Sequence, residues 1–135
     1  MGVKFILCLN KQGKVRLSKF YTNYKINEED EIIKLVYKTI NNNNKFNQNN
    51  SNHNCIEFID HCKLIYKKYN GLNFIICIND DDDDNQLMYL NSIPIYVKLL
   101  DEHFNNVSEL DLIFNFYKME TILDEMFING ELINI

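Results

Sequence analysis

Val3, Phe5, Leu7 and Leu9 alternate with Lys4 and Cys8, and after Asn10-Lys11-Gln12-Gly13 the period of two resumes at Val15, Leu17, Lys19 and Tyr21. Alternation sends successive side chains to opposite faces of a strand, so the pattern predicts an opening β-hairpin with strands 3–9 and 14–21. The period then lengthens. Ile33, Val36, Tyr37 and Ile40 share one face of a helix, with Asn27 as its expected N-cap and Asp30 at the third helical position. Glu28, Glu29, Asp30 and Glu31 stand where the helix dipole favours negative charge.

From Asn41 to Asn54 the chain is mostly asparagine, with too little apolar surface to offset the entropy of ordering, and a disordered surface insertion is expected. Two further strands are predicted at Cys55–Ile59 and Lys63–Tyr69. Asn70-Gly71 then turns the chain into Leu72–Ile78, whose apolar run lacks alternation and suits a strand covered on both faces. Tyr89, Ile93, Tyr96 and Leu100 recur at helical spacing between Gln86 and Phe104. Pro94 interrupts them, so a kink is expected there, or a new helix starting at Pro94 with Ser92 near its cap.

The stretch VSELDLIFNFYKMETILDEMFING, Val107 to Gly130, is expected to be one last helix, opened by a Ser108/Asp111 capping box and stopped at Asn129-Gly130. Ser108, Asp111, Asn115, Lys118, Glu125 and Asn129 form a narrow polar stripe, and large apolar side chains fill the other sides. A helix apolar on so much of its circumference needs cover on more than one side, more than one sheet supplies. The surplus predicts a partner protein. The element order is ββαβββαα.

Length and charge narrow the function classes. At 135 residues the chain is read as a single domain spanning 1–135. The net charge of -5 equals the five aspartates of Asp80–Asp84; the rest is balanced, which does not point to nucleic acid. Cys8, Cys55, Cys62 and Cys77 form no CxxC, and no signal peptide opens the chain, so a reducing, cytosolic setting is expected. No apolar run approaches the roughly 18 residues of a membrane helix, leaving peripheral or borrowed membrane contact.

Candidate chemistry is sparse. A calcium loop beginning at Asp80 lacks the glycine at its sixth position and the glutamate at its twelfth, where Asn91 stands. His53, Cys55, His61 and Cys62 match no zinc-finger spacing. With neither a nucleophile elbow nor a phosphate loop, no enzyme, metal or cofactor is expected. Arg16 is the single arginine among fourteen basic residues, flanked on its strand by Val15 and Leu17 facing oppositely to it; its fork suits an anionic group.

NKQGKVRLSKFY (10–21), KLIYKKYNGL (63–72), VSELDLIFNFYK (107–118) and ILDEMFINGE (122–131) together resemble the sigma, or small, subunits of adaptor-protein complexes that coat transport vesicles. The resemblance implies an α/β (α+β) longin-like, SNARE-like domain: a five-stranded antiparallel sheet with flanking helices. It implies assembly with two large subunits and a medium (mu) subunit, and a peripheral place on trans-Golgi, endosomal or coated-pit membranes. It further implies recognition of acidic dileucine signals, [DE]xxxL[LI], in cargo tails. By position, Arg16 would meet the acidic side of the signal, while Leu72, Val97, Val107, Leu110 and Leu112, with Asn106 nearby, would surround the two leucines.

Three departures accompany it: Asn70, at a wall position of the implied signal pocket, stands where relatives usually carry a small alanine, Pro94 replaces a polar residue, and the sequence ends at Ile135, where relatives usually continue. NKQG, RLSK, VSELD and ILDEM resemble the fourth, trans-Golgi complex; FNFYK and DEMF resemble the second, endocytic one. The resemblance leans to the fourth. The alternative is a longin-type regulatory domain of a membrane-fusion protein, which would continue into a heptad-bearing segment.

Overall fold

The structure, a computed structural model, describes residues 3–22, 24–46, 53–79, 86–104, 108–128 and 131–132. The hairpin of β1 (Val3–Leu9) and β2 (Val15–Phe20) leads to helix α1 (Ile26–Phe46), then to β3 (His53–Phe58), β4 (Cys62–Tyr69) and β5 (Leu72–Asn79). Helices α2 (Gln86–Phe104), α3 (Glu109–Phe114) and α4 (Phe116–Met126) precede a short pair, β6 (Phe127–Ile128) and β7 (Glu131–Leu132). The main sheet has the order β2-β1-β5-β4-β3 and every pairing in it is antiparallel. This is the expected five-stranded sheet with helices on both faces.

Alternation builds two cores back to back. Phe5, Leu7 and Leu9 of β1, Leu64 and Tyr66 of β4, and Ile75 and Cys77 of β5 meet Val36 and Ile40 of α1 on one face. On the other, Leu72, Phe74, Ile76 and Ile78 of β5, with Ile6, Cys8 and Leu17, meet Tyr89, Ile93, Tyr96, Val97 and Leu100 of α2 and Met119, Ile122, Leu123 and Met126 of α4. Strand β5 is therefore covered twice, as an apolar run without alternation predicts. A bulge between Val3 and Phe5 lets two odd-numbered residues of one strand serve different cores. Lys19 ties β2 to α4 through Glu120 and Asp124, at 3.2 and 3.1 Å.

Four sequence expectations change. Helix α1 begins at Ile26, so Asn27 lies inside its first turn instead of capping it, and it runs on to Phe46, through the first residues of the tract expected to be disordered. Asn43 donates a 2.6 Å hydrogen bond to the Tyr66 hydroxyl, a tertiary tie that overrides the weak helix propensity of asparagine. His53 and Asn54 already belong to β3; the remainder of the tract, like Asp80–Asp84, lies outside the described residues. Third, no new helix starts at Pro94: α2 passes through it as one helix, with Ser92 inside it donating to the Tyr89 carbonyl. Fourth, the terminal helix is two.

That break falls at Asn115, whose backbone (φ -122°, ψ 37°) closes α3 by donating to the Asp111 carbonyl and opens α4 by accepting from Lys118 and Met119. The Ser108/Asp111 capping box is formed as expected. Helix α4 ends at Met126, before Asn129-Gly130, and the next residues pair as β6 and β7. The observed order is ββαβββααα followed by that small pair.

Candidate functional site

Hairpin turns gather at one end of the sheet because β1 and β5 are antiparallel neighbours. The C-terminal end of β1 and the N-terminal end of β5 lie side by side, Leu9 opposite Asn73. The first turn is organised by Asn10, which is buried, 6% exposed. Its side-chain oxygen accepts from the backbone N–H groups of Gln12 and Lys14, both at 2.9 Å, a local turn that asparagine forms readily. Gly13 closes it at φ +87°, with the Tyr37 ring so near that a Cβ would lie 2.8 Å from it. Tyr37 also donates its hydroxyl to the Lys11 carbonyl at 3.0 Å.

Arg16 follows on a bulge. Cys8 pairs with Leu17 and Leu9 with Val15, leaving Arg16 as the extra residue of β2. Val15 and Leu17 consequently pack into opposite cores, not onto the one face that simple alternation assigns them. A bulge of this kind re-aims its side chain, and Arg16 reaches α3, where its Nε donates to Glu109 Oε2 at 2.7 Å.

The same carboxylate oxygen accepts from Asn10 Nδ2 at 3.0 Å. Hydrogen bonds from Asn10 and from Arg16 hold the Glu109 carboxyl below its ordinary range, with the charges of Arg16 and Lys14 adding to them. Sequence reasoning missed Glu109. It is 93 residues from Arg16, and no local pattern marks it out among the carboxylates between Val107 and Gly130 as a partner for Arg16.

Asn10, Lys11, Gln12, Arg16, Asn70, Gly71 and Glu109 enclose a polar recess of about 450 Å³. Asn70 and Gly71 form the two-residue turn between Tyr69 and Leu72, both with positive φ (+49° and +77°). Asn-Gly is the pair that such a turn selects, so Asn70 has a backbone reason for its place. Among the predicted site residues, Arg16 and Asn70 therefore share the recess.

Leu72 and Val97 lie in the core shared by the sheet, α2 and α4, at 1% and 5% exposure. Leu110 and Leu112 are on α3, Leu110 at 63% exposure; Asn106 and Val107 lie outside the described residues. The surplus apolar surface expected near the C-terminus is present: with Leu110, the side chains of Ile113, Phe114 and Tyr117 are exposed, Tyr117 by 83%. Among the described residues no group of three or more His, Cys, Asp or Glu side chains is placed to hold a metal, none of the four cysteines is in a disulfide, and no helix is long and apolar enough to cross a membrane.

The family model for the clathrin adaptor complex small chain matches residues 2–135. The chain belongs to that family. This small chain is 44% identical over 131 residues to the AP-2 complex subunit sigma of Dictyostelium discoideum, covering 96% of itself and 86% of that relative. Identity is 42% over 134 residues to the AP-2 complex subunit sigma of Saccharomyces cerevisiae (98% and 87% covered) and 42% over 130 residues to the AP-1 complex subunit sigma-2 of Arabidopsis thaliana (96% and 75%). Its fold is similar to a chain in a homology model of the full-length AP-3 complex in a stretched open conformation, with TM-score 0.71, 28% identity and 98% and 84% coverage. The small chain is thus a sigma-type subunit of a multi-subunit adaptor complex in vesicle trafficking.

Proposed function

We propose that this small chain assembles with two large adaptins and a medium subunit, and helps that complex capture cargo tails bearing acidic dileucine signals. Arg16 carries the proposal. It is a guanidinium aimed by a bulge into an open polar recess, where a bidentate fork suits a carboxylate. Asn70 borders the same recess, and Leu72, Val97, Val107, Leu110 and Leu112, with Asn106, are assigned to the leucines of the signal. Leu72 and Val97 are buried in the free chain, so the apolar half has to open before the leucines can enter.

Burying two leucines contributes on the order of 3–6 kcal/mol, against an association cost of roughly 4–15 kcal/mol. A single signal therefore binds weakly and capture depends on several membrane contacts acting together. Relatives named for the second and first complexes support the second, endocytic complex over the fourth, trans-Golgi one. The membrane contact is peripheral, through the complex.

Affinity purification of the tagged chain is expected to bring down the two large subunits and the medium subunit of the endocytic complex; recovery of trans-Golgi large subunits overturns that assignment. Arg16→Glu in the assembled complex is expected to abolish pulldown of an acidic dileucine peptide. Undiminished binding would remove Arg16 from the site.

A further inference from the structure

The cation assigned to cargo is already engaged. Glu109 Oε2 lies 2.7 Å from Arg16 Nε, so the guanidinium carries a carboxylate partner from its own chain before any peptide arrives. We propose that Glu109 is an internal surrogate for the acidic residue of the signal: it neutralises Arg16 in the empty site and sets how strongly the recess distinguishes acidic from neutral tails. The inference rests on the reading of Arg16 given above.

Three features make the exchange feasible. The pair is open to water, with side-chain exposures of 22% for Arg16 and 38% for Glu109, and an exposed ion pair is weak enough to trade partners. Glu109 is not stranded when Arg16 turns away, because Asn10 Nδ2 bonds the same oxygen and Asn10 is fixed by the two backbone N–H groups it accepts from. The recess is also charge-balanced in a particular way. Lys11 and Arg16 supply two positive charges on its wall and Glu109 offsets one, so an incoming carboxylate meets a weaker attraction than it would without Glu109.

Glu109→Gln keeps an oxygen that accepts from Arg16 and Asn10 while removing the charge, which separates competition from positioning. In the assembled complex, two peptides are compared, an acidic dileucine peptide and its counterpart with glutamine in the acidic position. Glu109→Gln is expected to tighten the acidic peptide on the order of threefold, with the gain shrinking as salt rises, and to leave the glutamine peptide unchanged. Unchanged or weaker binding of the acidic peptide overturns the surrogate role.

Arg16→Gln distinguishes the two readings. If it erases the preference for the acidic peptide while Glu109→Gln does nothing, Arg16 stands and the surrogate falls; if it leaves that preference intact, both fall. Co-purification of each variant with its large subunits reports folding. Glu109→Ala, which also deletes the hydrogen bonds, is expected to shift acidic-peptide binding in the same direction as Glu109→Gln, and a shift in the opposite direction overturns the proposal.

Discussion

Gly13 shows how one backbone position holds up the recess. At φ +87°, with the Tyr37 ring 2.8 Å from where a Cβ would be, the turn has room for no side chain. Gly13→Ala is expected to cost about 1–3 kcal/mol, read as a lower denaturant midpoint of the refolded subunit. Glu109 adds a pH dependence. Its folded carboxyl lies below the unfolded value of 4.5, so its contribution to stability is complete above that value and is lost as pH falls through the lower folded one. The difference in denaturant midpoint between wild type and Glu109→Gln should hold constant from neutral pH to about 4.5 and shrink below it. A difference that grows in acid contradicts the pairing.

At the scale of elements, legibility followed locality. The β1–β2 hairpin, the doubly covered β5 and the buried face of α2 were readable because periodicity reports which faces are buried. At Pro94 the new helix offered as one reading does not begin, because α2 runs through that residue. Loss of one helical hydrogen bond, near 3 kcal/mol in an exposed helix, is offset here by burial of Tyr89, Ile93, Tyr96, Val97 and Leu100 along the same helix.

The break at Asn115 was hidden for the opposite reason. Apolar spacing runs through it undisturbed, and no glycine or proline marks the place. The Arg16 bulge and the Glu109 contact were likewise invisible, since register and long-range pairing leave no trace in a window of neighbouring residues. The break lets α4 bury Met119, Ile122, Leu123 and Met126 while Leu110, Ile113, Phe114 and Tyr117 stay outside. Phe114→Asp and Tyr117→Asp are therefore expected to leave the far-ultraviolet circular dichroism unchanged and to reduce co-purification with large subunits at least tenfold. Full assembly of both variants would show that this face is not the interface.

On the scale of the whole molecule, the recess and the exposed apolar face share α3: Glu109 lines the recess, while Leu110, Ile113 and Phe114 belong to the exposed face. The pairing order has another effect, on synthesis. Strand β1 is the second strand of the sheet, and its partner β5 follows roughly seventy residues later, Phe5 opposite Cys77. At about 5–20 residues per second, Phe5, Ile6, Leu7 and Leu9 wait several seconds for cover outside the ribosome. Nascent chains halted before Leu72 should be bound by a holding chaperone, and chains halted after β5 has emerged should be released. Equal retention of the two would show that β1 finds cover without β5. Strand β1, flanked on both sides in the finished sheet, is thus the part of the chain that most needs protection during its birth.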